Sequence, residues 1–155
     1  MRVEHNIAPV YDANSEILIL GSFPSVKSRE AQFFYGHPQN RFWKVIAAVC
    51  ECDVPVTIEE KKELLLKNHI ALWDVIESCD IEGSSDSSIR NVKANDFSPI
   101  FAVANIKRVF ANGGTAYNLY TKYVDKNITR LPSTSPANAA WNMERLVKAW
   151  QIILY

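Results

Sequence analysis

Four short segments along the chain read as strands: Ile17–Leu20, Ile70–Val75, Arg108–Ala111 and Ile128–Leu131. The first is unbroken and apolar and the second is apolar but for Asp74, a pattern that suits strands covered on both faces. The segments between them carry apolar positions at spacings of three and four, the helical period. Arg41–Glu51 is one such helix. Thr57 followed by Glu60 is a capping-box pattern that opens a second, running to about Asn68. Asp96–Asn105 reads as a helix that starts near Pro99, Thr115–Val124 as one with a tyrosine stripe, and Ala139–Leu154 as a closing amphipathic helix. Gly83–Asn91 is serine-rich, polar and too long for a simple turn. Strands alternating with helices predict a short parallel sheet with helices on both faces, an α/β chain. With 155 residues, no linker and no repeats, a single domain over residues 1–155 is expected.

Composition narrows the class. No apolar run approaches the ~18 residues of a membrane span, and the first residues lack a signal-peptide core, so a cytoplasmic location without membrane attachment is the expectation. Three cysteines, Cys50, Cys52 and Cys79, suit reduced structural thiols and are too few for an iron–sulfur cluster. His5, His37 and His69 show no ligand spacing, so neither a metal nor any other cofactor is expected. The formal net charge is zero, which looks poor for a nucleic-acid protein. Its distribution changes that picture: residues 100–155 carry seven basic and two acidic side chains, and Lys27, Arg29, Arg41 and Lys44 cluster against Glu30. Local basic patches are enough for a small footprint on DNA, although ordinary solvated surface explains them equally well.

The chemistry concentrates in three loops. Gly21-Ser22-Phe23-Pro24-Ser25 follows the first strand and presents backbone N–H groups and hydroxyls where α/β sheets bind ligands. Gly36 to Trp43 reads Gly-His-Pro-Gln-Asn-Arg-Phe-Trp, and Ser133 to Asn138 reads Ser-Thr-Ser-Pro-Ala-Asn. Two serine–proline loops of this kind can pinch one ligand. Locally, each hydroxyl is equally a turn former and Asn40 a helix cap.

The three segments together resemble the uracil-DNA glycosylase superfamily, and Gly-Ser-Phe-Pro-Ser with Ser-Thr-Ser-Pro-Ala-Asn is most similar to its hypoxanthine-DNA (deoxyinosine) branch. That resemblance implies a three-layer α/β/α sandwich with a four-stranded parallel sheet and a cleft at the strand carboxyl ends. It also implies a monomeric hydrolase that removes a deaminated base from single- or double-stranded DNA. The uracil and mismatch branches place Asp or Asn where this chain has Phe23, His or Asn where it has Ser133, and a wedge Leu where it has Ala137. In the hypoxanthine branch the resemblance moves the central polar role to Asn40, which offers both a carbonyl and an amide.

The remaining roles follow the same loops. Gly21, Ser22, Phe23, His37, Asp74 and Ser133 are the expected base-binding residues. Pro24, Ser25, Lys27, Arg41, Ser135, Pro136, Ala137 and Asn138 are expected against the DNA backbone. Phe23 either stacks on the base or plugs the sheet end, and Asp74 either reads a base edge or pairs with a cation. No lysine occupies a motif position, so base removal without strand cleavage is expected. A mismatch-type glycosylase acting on uracil or thymine, and a non-catalytic DNA- or nucleotide-binding module, are the alternatives.

Overall fold

A computed structural model describes residues 1–154. Its centre is a four-stranded parallel sheet built from β2 (Ile17–Gly21), β3 (Ile70–Asp74), β6 (Arg108–Asn112) and β7 (Thr129–Leu131), in the order β3-β2-β6-β7. These are the four strands read from the sequence, to within a residue at their ends. All five residues of β2 are buried, and their alternation divides the core. Ile17 and Ile19 face α2 (Phe42–Val49), α3 (Ile58–Lys67) and α6 (Met143–Trp150), packing with Phe42, Ile46, Leu65, Leu146 and Trp150. Leu18 and Leu20 face α4 (Ser98–Val103) and α5 (Gly114–Tyr123), with Phe97, Ile100, Ala116 and Tyr120. The three-layer α/β/α sandwich is therefore present, and its helices bury side chains against both faces of one sheet.

Several boundaries are tighter than the pattern predicts. The closing helix begins at Met143, where Asn142 accepts the Arg145 N–H at 2.9 Å as its cap; residues 139–142 turn instead. The Asp96–Asn105 segment contracts to α4, with proline in its first turn. The capping box at Thr57 and Glu60 forms as the sequence predicts.

The pattern does not predict a second sheet. Strands β1 (Arg2–Glu4), β4 (Ile76–Asp80) and β5 (Arg90–Ala94) form an antiparallel sheet in the order β1-β4-β5. It grows from the end of β3, because β4 starts only two residues beyond Asp74. Asn95 staples the junction, its side-chain amide donating to the carbonyls of Asp74 at 2.9 Å and Ile76 at 3.2 Å. Under it lies a small apolar cluster of Phe23, Ile76, Cys79 and Ile81. The short helix α1 (Val26–Ala31) was also not predicted; Ser25 caps it. The serine-rich segment holds one turn of 3-10 helix at Asp86–Ser88 before joining β5.

Candidate active site

The carboxyl ends of β2, β3 and β6 open into a cleft of about 500 Å³, inside the ~300–1,000 Å³ range of small-ligand pockets. The Gly21–Ser25 turn, His37 and Asn40, Asp74, the serine-rich loop at Ser84–Ser87, Asn112, and Ser133–Ala137 line it. Three loops distant in sequence thus meet on one cavity.

Asn40 sits where its chain position and its chemistry coincide. Its Oδ1 accepts the Phe42 N–H at 2.9 Å and the Thr134 hydroxyl at 2.9 Å. The first bond caps the start of α2; the second reaches across to the Ser133–Asn138 loop. Thr134, fully buried, accepts in turn from Asn112 Nδ2 at 3.0 Å and donates its own N–H to Asn112 Oδ1 at 3.0 Å. With its carbonyl held by two donors, the Asn40 amide plane is fixed, and its NH₂ group is what remains for a ligand.

Asp74 lies at the cleft floor, 3 % exposed. His5 holds it: Nε2 lies 2.8 Å from Asp74 Oδ2 while Nδ1 accepts the Ile7 N–H at 3.2 Å, which places the ring proton on Nε2. Opposite stands Tyr35, stacked on Phe42 at 4.1 Å between ring centroids. Burial pushes its phenol far above the usual range and the Asp74 charge adds to this, while Asn112 stands close enough to pull slightly the other way without meeting hydrogen-bond geometry. Between these groups passes Gly21. A Cβ there would lie 2.4 Å from Asp74 Oδ1 and 2.9 Å from Tyr35 Oη, so the first residue of the motif has no room for a side chain.

Asp86 rises at the outer wall and accepts from Ser22 Oγ at 3.2 Å. Although it is exposed, the protein around it raises its carboxyl above the ordinary value of 3.8, the hydrogen bond from Ser22 partly opposing.

The other expected residues fall into two groups. His37 lines the cleft, its Nδ1 accepting the Gln39 N–H at 3.1 Å. Ser25, Ser133 and Ser135 each accept a nearby backbone N–H, from Ser28, Ser135 and Ala137, so their oxygens shape turns; the Ser25 hydroxyl also donates to Ser28 Oγ at 3.1 Å, while those of Ser133 and Ser135 keep their protons for a ligand. Pro24, Pro136 and Ala137 line the wall, and Asn138 ties its own loop through Nδ2 to the Ser133 carbonyl at 3.0 Å. Lys27 projects into solvent, loosely paired with Glu30 at 3.8 Å.

Two residues have structural tasks in place of, or beside, the expected ones. Arg41 directs its guanidinium to the carbonyls of Thr134, Ser135, Asn138 and Trp141, so it struts the Ser133–Asn138 loop against α2. Phe23 is 8 % exposed, packs among Ile76, Cys79 and Ile81, and lies edge-on to His5 at 6.0 Å. It plugs the sheet end, and Arg29 lies over its ring at 5.5 Å from the centroid, while the residue still lines the cleft.

His5, Tyr35, Asn112 and Thr134 were not among the sequence candidates. Asn112 closes the third strand at the level where Gly21 closes the first, and that shared position is the one sequence signal that pointed to it. His5 and Tyr35 reach the floor through tertiary packing alone. Among the described residues, no group of three His, Cys, Asp or Glu side chains stands together and no helix is long and apolar enough to cross a membrane.

The comparisons with known proteins agree with this geometry. Residues 8–154 match the family model described as the uracil DNA glycosylase superfamily. A hypoxanthine DNA glycosylase from Methanosarcina acetivorans is 36% identical over 147 residues, 92% of this chain and 93% of the relative. Another from Methanosarcina barkeri is 39% identical over 107 residues, 68% of each chain. A solution NMR structure of a Methanosarcina acetivorans protein, described as a candidate uracil DNA glycosylase, superposes with a TM-score of 0.80 at 31% identity, covering all of both chains. A parallel sheet with its cleft at the strand ends, the three motif loops gathered around that cleft, and a family match over nearly the whole length make this chain a member of the uracil DNA glycosylase superfamily.

Proposed function

We propose that the protein is a monofunctional DNA glycosylase that hydrolyses the N-glycosidic bond of hypoxanthine in DNA, leaving an unbroken abasic strand. The observation that carries this reading is the near full-length similarity to a hypoxanthine DNA glycosylase, at 36% identity. The cleft suits it: a flipped nucleotide needs a closed pocket with polar groups for the base and for water. Among the described residues no lysine lines the cleft, in keeping with attack by water and not by an amine.

Bond cleavage builds positive charge on the sugar and negative charge on the departing purine. Asn40 meets that need as a donor. Its carbonyl is engaged by Phe42 and Thr134, so its NH₂ group turns to the substrate and holds the leaving base or the oxygen of the attacking water. The Thr134–Asn112 pair keeps it oriented. Preorganised donors of this kind act most strongly in a pocket shielded from solvent. On the DNA side, the solvent-facing Lys27, His37 and the hydroxyls of Ser133 and Ser135 supply donors for the phosphates flanking a flipped nucleotide.

The test separates cap from donor. Asn40→Asp keeps an acceptor for the Phe42 N–H and the Thr134 hydroxyl and removes the NH₂ group. Single-turnover release of hypoxanthine should fall by about 10²-fold or more with the melting temperature nearly unchanged. An Asp variant as active as the wild type would reduce Asn40 to a helix cap.

A further inference from the structure

The serine-rich loop brings to the cleft a carboxylate that base removal by Asn40 leaves without a task. Asp86 opens the 3-10 turn Asp86–Ser88, and the loop around it is pinned. The Val26 N–H donates to Ser84 Oγ at 2.9 Å, Arg29 donates to the Gly83 carbonyl at 3.2 Å, and Ser88 Oγ donates to the Ser85 carbonyl at 2.7 Å. Ser22, next to Phe23 in the first motif loop, donates its hydroxyl to Asp86 Oδ1 at 3.2 Å. The other oxygen, Oδ2, accepts no hydrogen bond among the described residues, although the Thr115 hydroxyl stands near.

Hydrolysis needs an acceptor that orients the water and takes its proton, and the cleft's other acceptors are engaged. Asn40 Oδ1 accepts two bonds, and Asn112 and Thr134 bond each other. Asp74 is held by His5 at the buried floor. His37 spends Nδ1 on the Gln39 N–H, which leaves its Nε2 as a donor. Asp86 also lines a second groove of about 530 Å³, together with Gly113, Gly114 and Arg130, and Ser133, Ser135 and Ala137 border both cavities. A nucleotide filling the first cavity closes it to solvent, while the second still reaches Asp86 from outside. The carboxyl, raised above its ordinary value, is a stronger base than a fully solvated one.

We propose that Asp86 is the base of the hydrolysis: its free oxygen takes a proton from a water that enters by the second groove and attacks C1′ of the extruded nucleotide. This rests on the glycosylase reading above. The water oxygen bonds to C1′ as the C1′–N9 bond breaks, and the electron pair of that bond goes to the purine. The Asn40 NH₂ group is then free to hold the charged base, which gains a proton from solvent as Asp86 releases its own. A purine is longer than a pyrimidine by one ring, so a purine seated at the floor holds its sugar farther out. Asp86 stands at that outer wall, whereas Phe23 occupies the sheet end below it.

Three measurements on the intact protein test this. Asp86→Asn keeps an acceptor for the Ser22 hydroxyl and loses the basic oxygen; Asp86→Ala leaves space for a small carboxylate. Single-turnover release of hypoxanthine from a duplex should fall by about 10²-fold or more in both. Affinity for a duplex with a 2′-fluorinated hypoxanthine nucleotide, which resists cleavage, should stay within about threefold of wild type. Added formate should restore release by Asp86→Ala at least about tenfold and leave the wild type and Asp86→Asn unchanged. Full activity in either variant, release and affinity lost together, or an Asp86→Ala rate indifferent to formate would overturn the role of Asp86 and leave the glycosylase reading in place. A wild type that binds the fluorinated duplex yet releases no hypoxanthine would overturn both.

Discussion

The two sheets are built on opposite principles. The parallel sheet is buried where β2 and β3 run, and these two strands are apolar from end to end until Gly21 and Asp74, while the edge strand β7 exposes Thr129 and Arg130. The antiparallel sheet is half in solvent: β1 and β5 alternate exposed and partly buried positions, and their strands read Arg-Val-Glu and Arg-Asn-Val-Lys-Ala. The first supplies rigidity, with its strand ends fixing Gly21, Asp74 and Asn112 in one plane. The second supplies polar reach, since the segment after β1 delivers His5 to Asp74 and the loop before β5 delivers Asp86 to Ser22. The cleft lies at their seam. Stability and site chemistry are therefore divided between the sheets, and perturbing each should show different consequences.

The largest contrast is in stability. Leu72→Ala removes a fully buried side chain from β3 and should lower unfolding free energy by about 2–5 kcal/mol. Val92→Ala in β5, partly buried, should cost no more than about 1 kcal/mol. Equal losses in denaturant titrations would erase the distinction. The seam itself comes next. Gly21→Ala forces a methyl against Asp74 Oδ1 and Tyr35 Oη, so base release should fall by about 10²-fold, the usual effect of a displacement near 1 Å. Full activity in that variant would mean that the floor is loosely packed.

Arg41→Met frees four carbonyls of the Ser133–Trp141 segment and should lower stability by about 2 kcal/mol, with faster amide exchange confined to that loop. The smallest effect concerns Asp86. Its carboxyl titrates above its unfolded value of 3.8, so the folded state binds a proton more readily than the unfolded one. Stability then falls as pH rises from 3.8 through the folded value, and the full penalty is present at neutral pH. Asp86→Asn should raise the melting temperature slightly at pH 7, and the gain should vanish below pH 3.8.

The same division explains what the sequence discloses. Strands buried on two faces leave near-continuous apolar runs, so β2 and β3 were plain, and the capping box at Thr57 and Glu60 marked the start of α3. Three-residue and five-residue strands with charged or polar outward positions leave no run and no clean alternation, so β1, β4 and β5 were hidden. For the site, residues inside motif loops were legible: Asn40, Gly21 and Ser133 do line one cleft. Arg41 was not, because a guanidinium that braces a loop looks in sequence like one aimed at a phosphate. His5 and Tyr35 were hidden for a different reason. A lone histidine near the N-terminus and a tyrosine before a glycine acquire meaning only when β1 and the α2 entry bring them to Asp74.

Whether this cleft removes hypoxanthine is decided by single-turnover base release by the wild type from matched duplexes carrying one hypoxanthine or one uracil, with the strands resolved before and after treatment that cuts abasic sites. Hypoxanthine should be released faster, and breaks should appear only after that treatment, because Phe23 cannot activate water for uracil and, among the described residues, no lysine lines the cleft. Faster uracil release, or strand breaks made by the protein alone, would overturn the hypoxanthine reading.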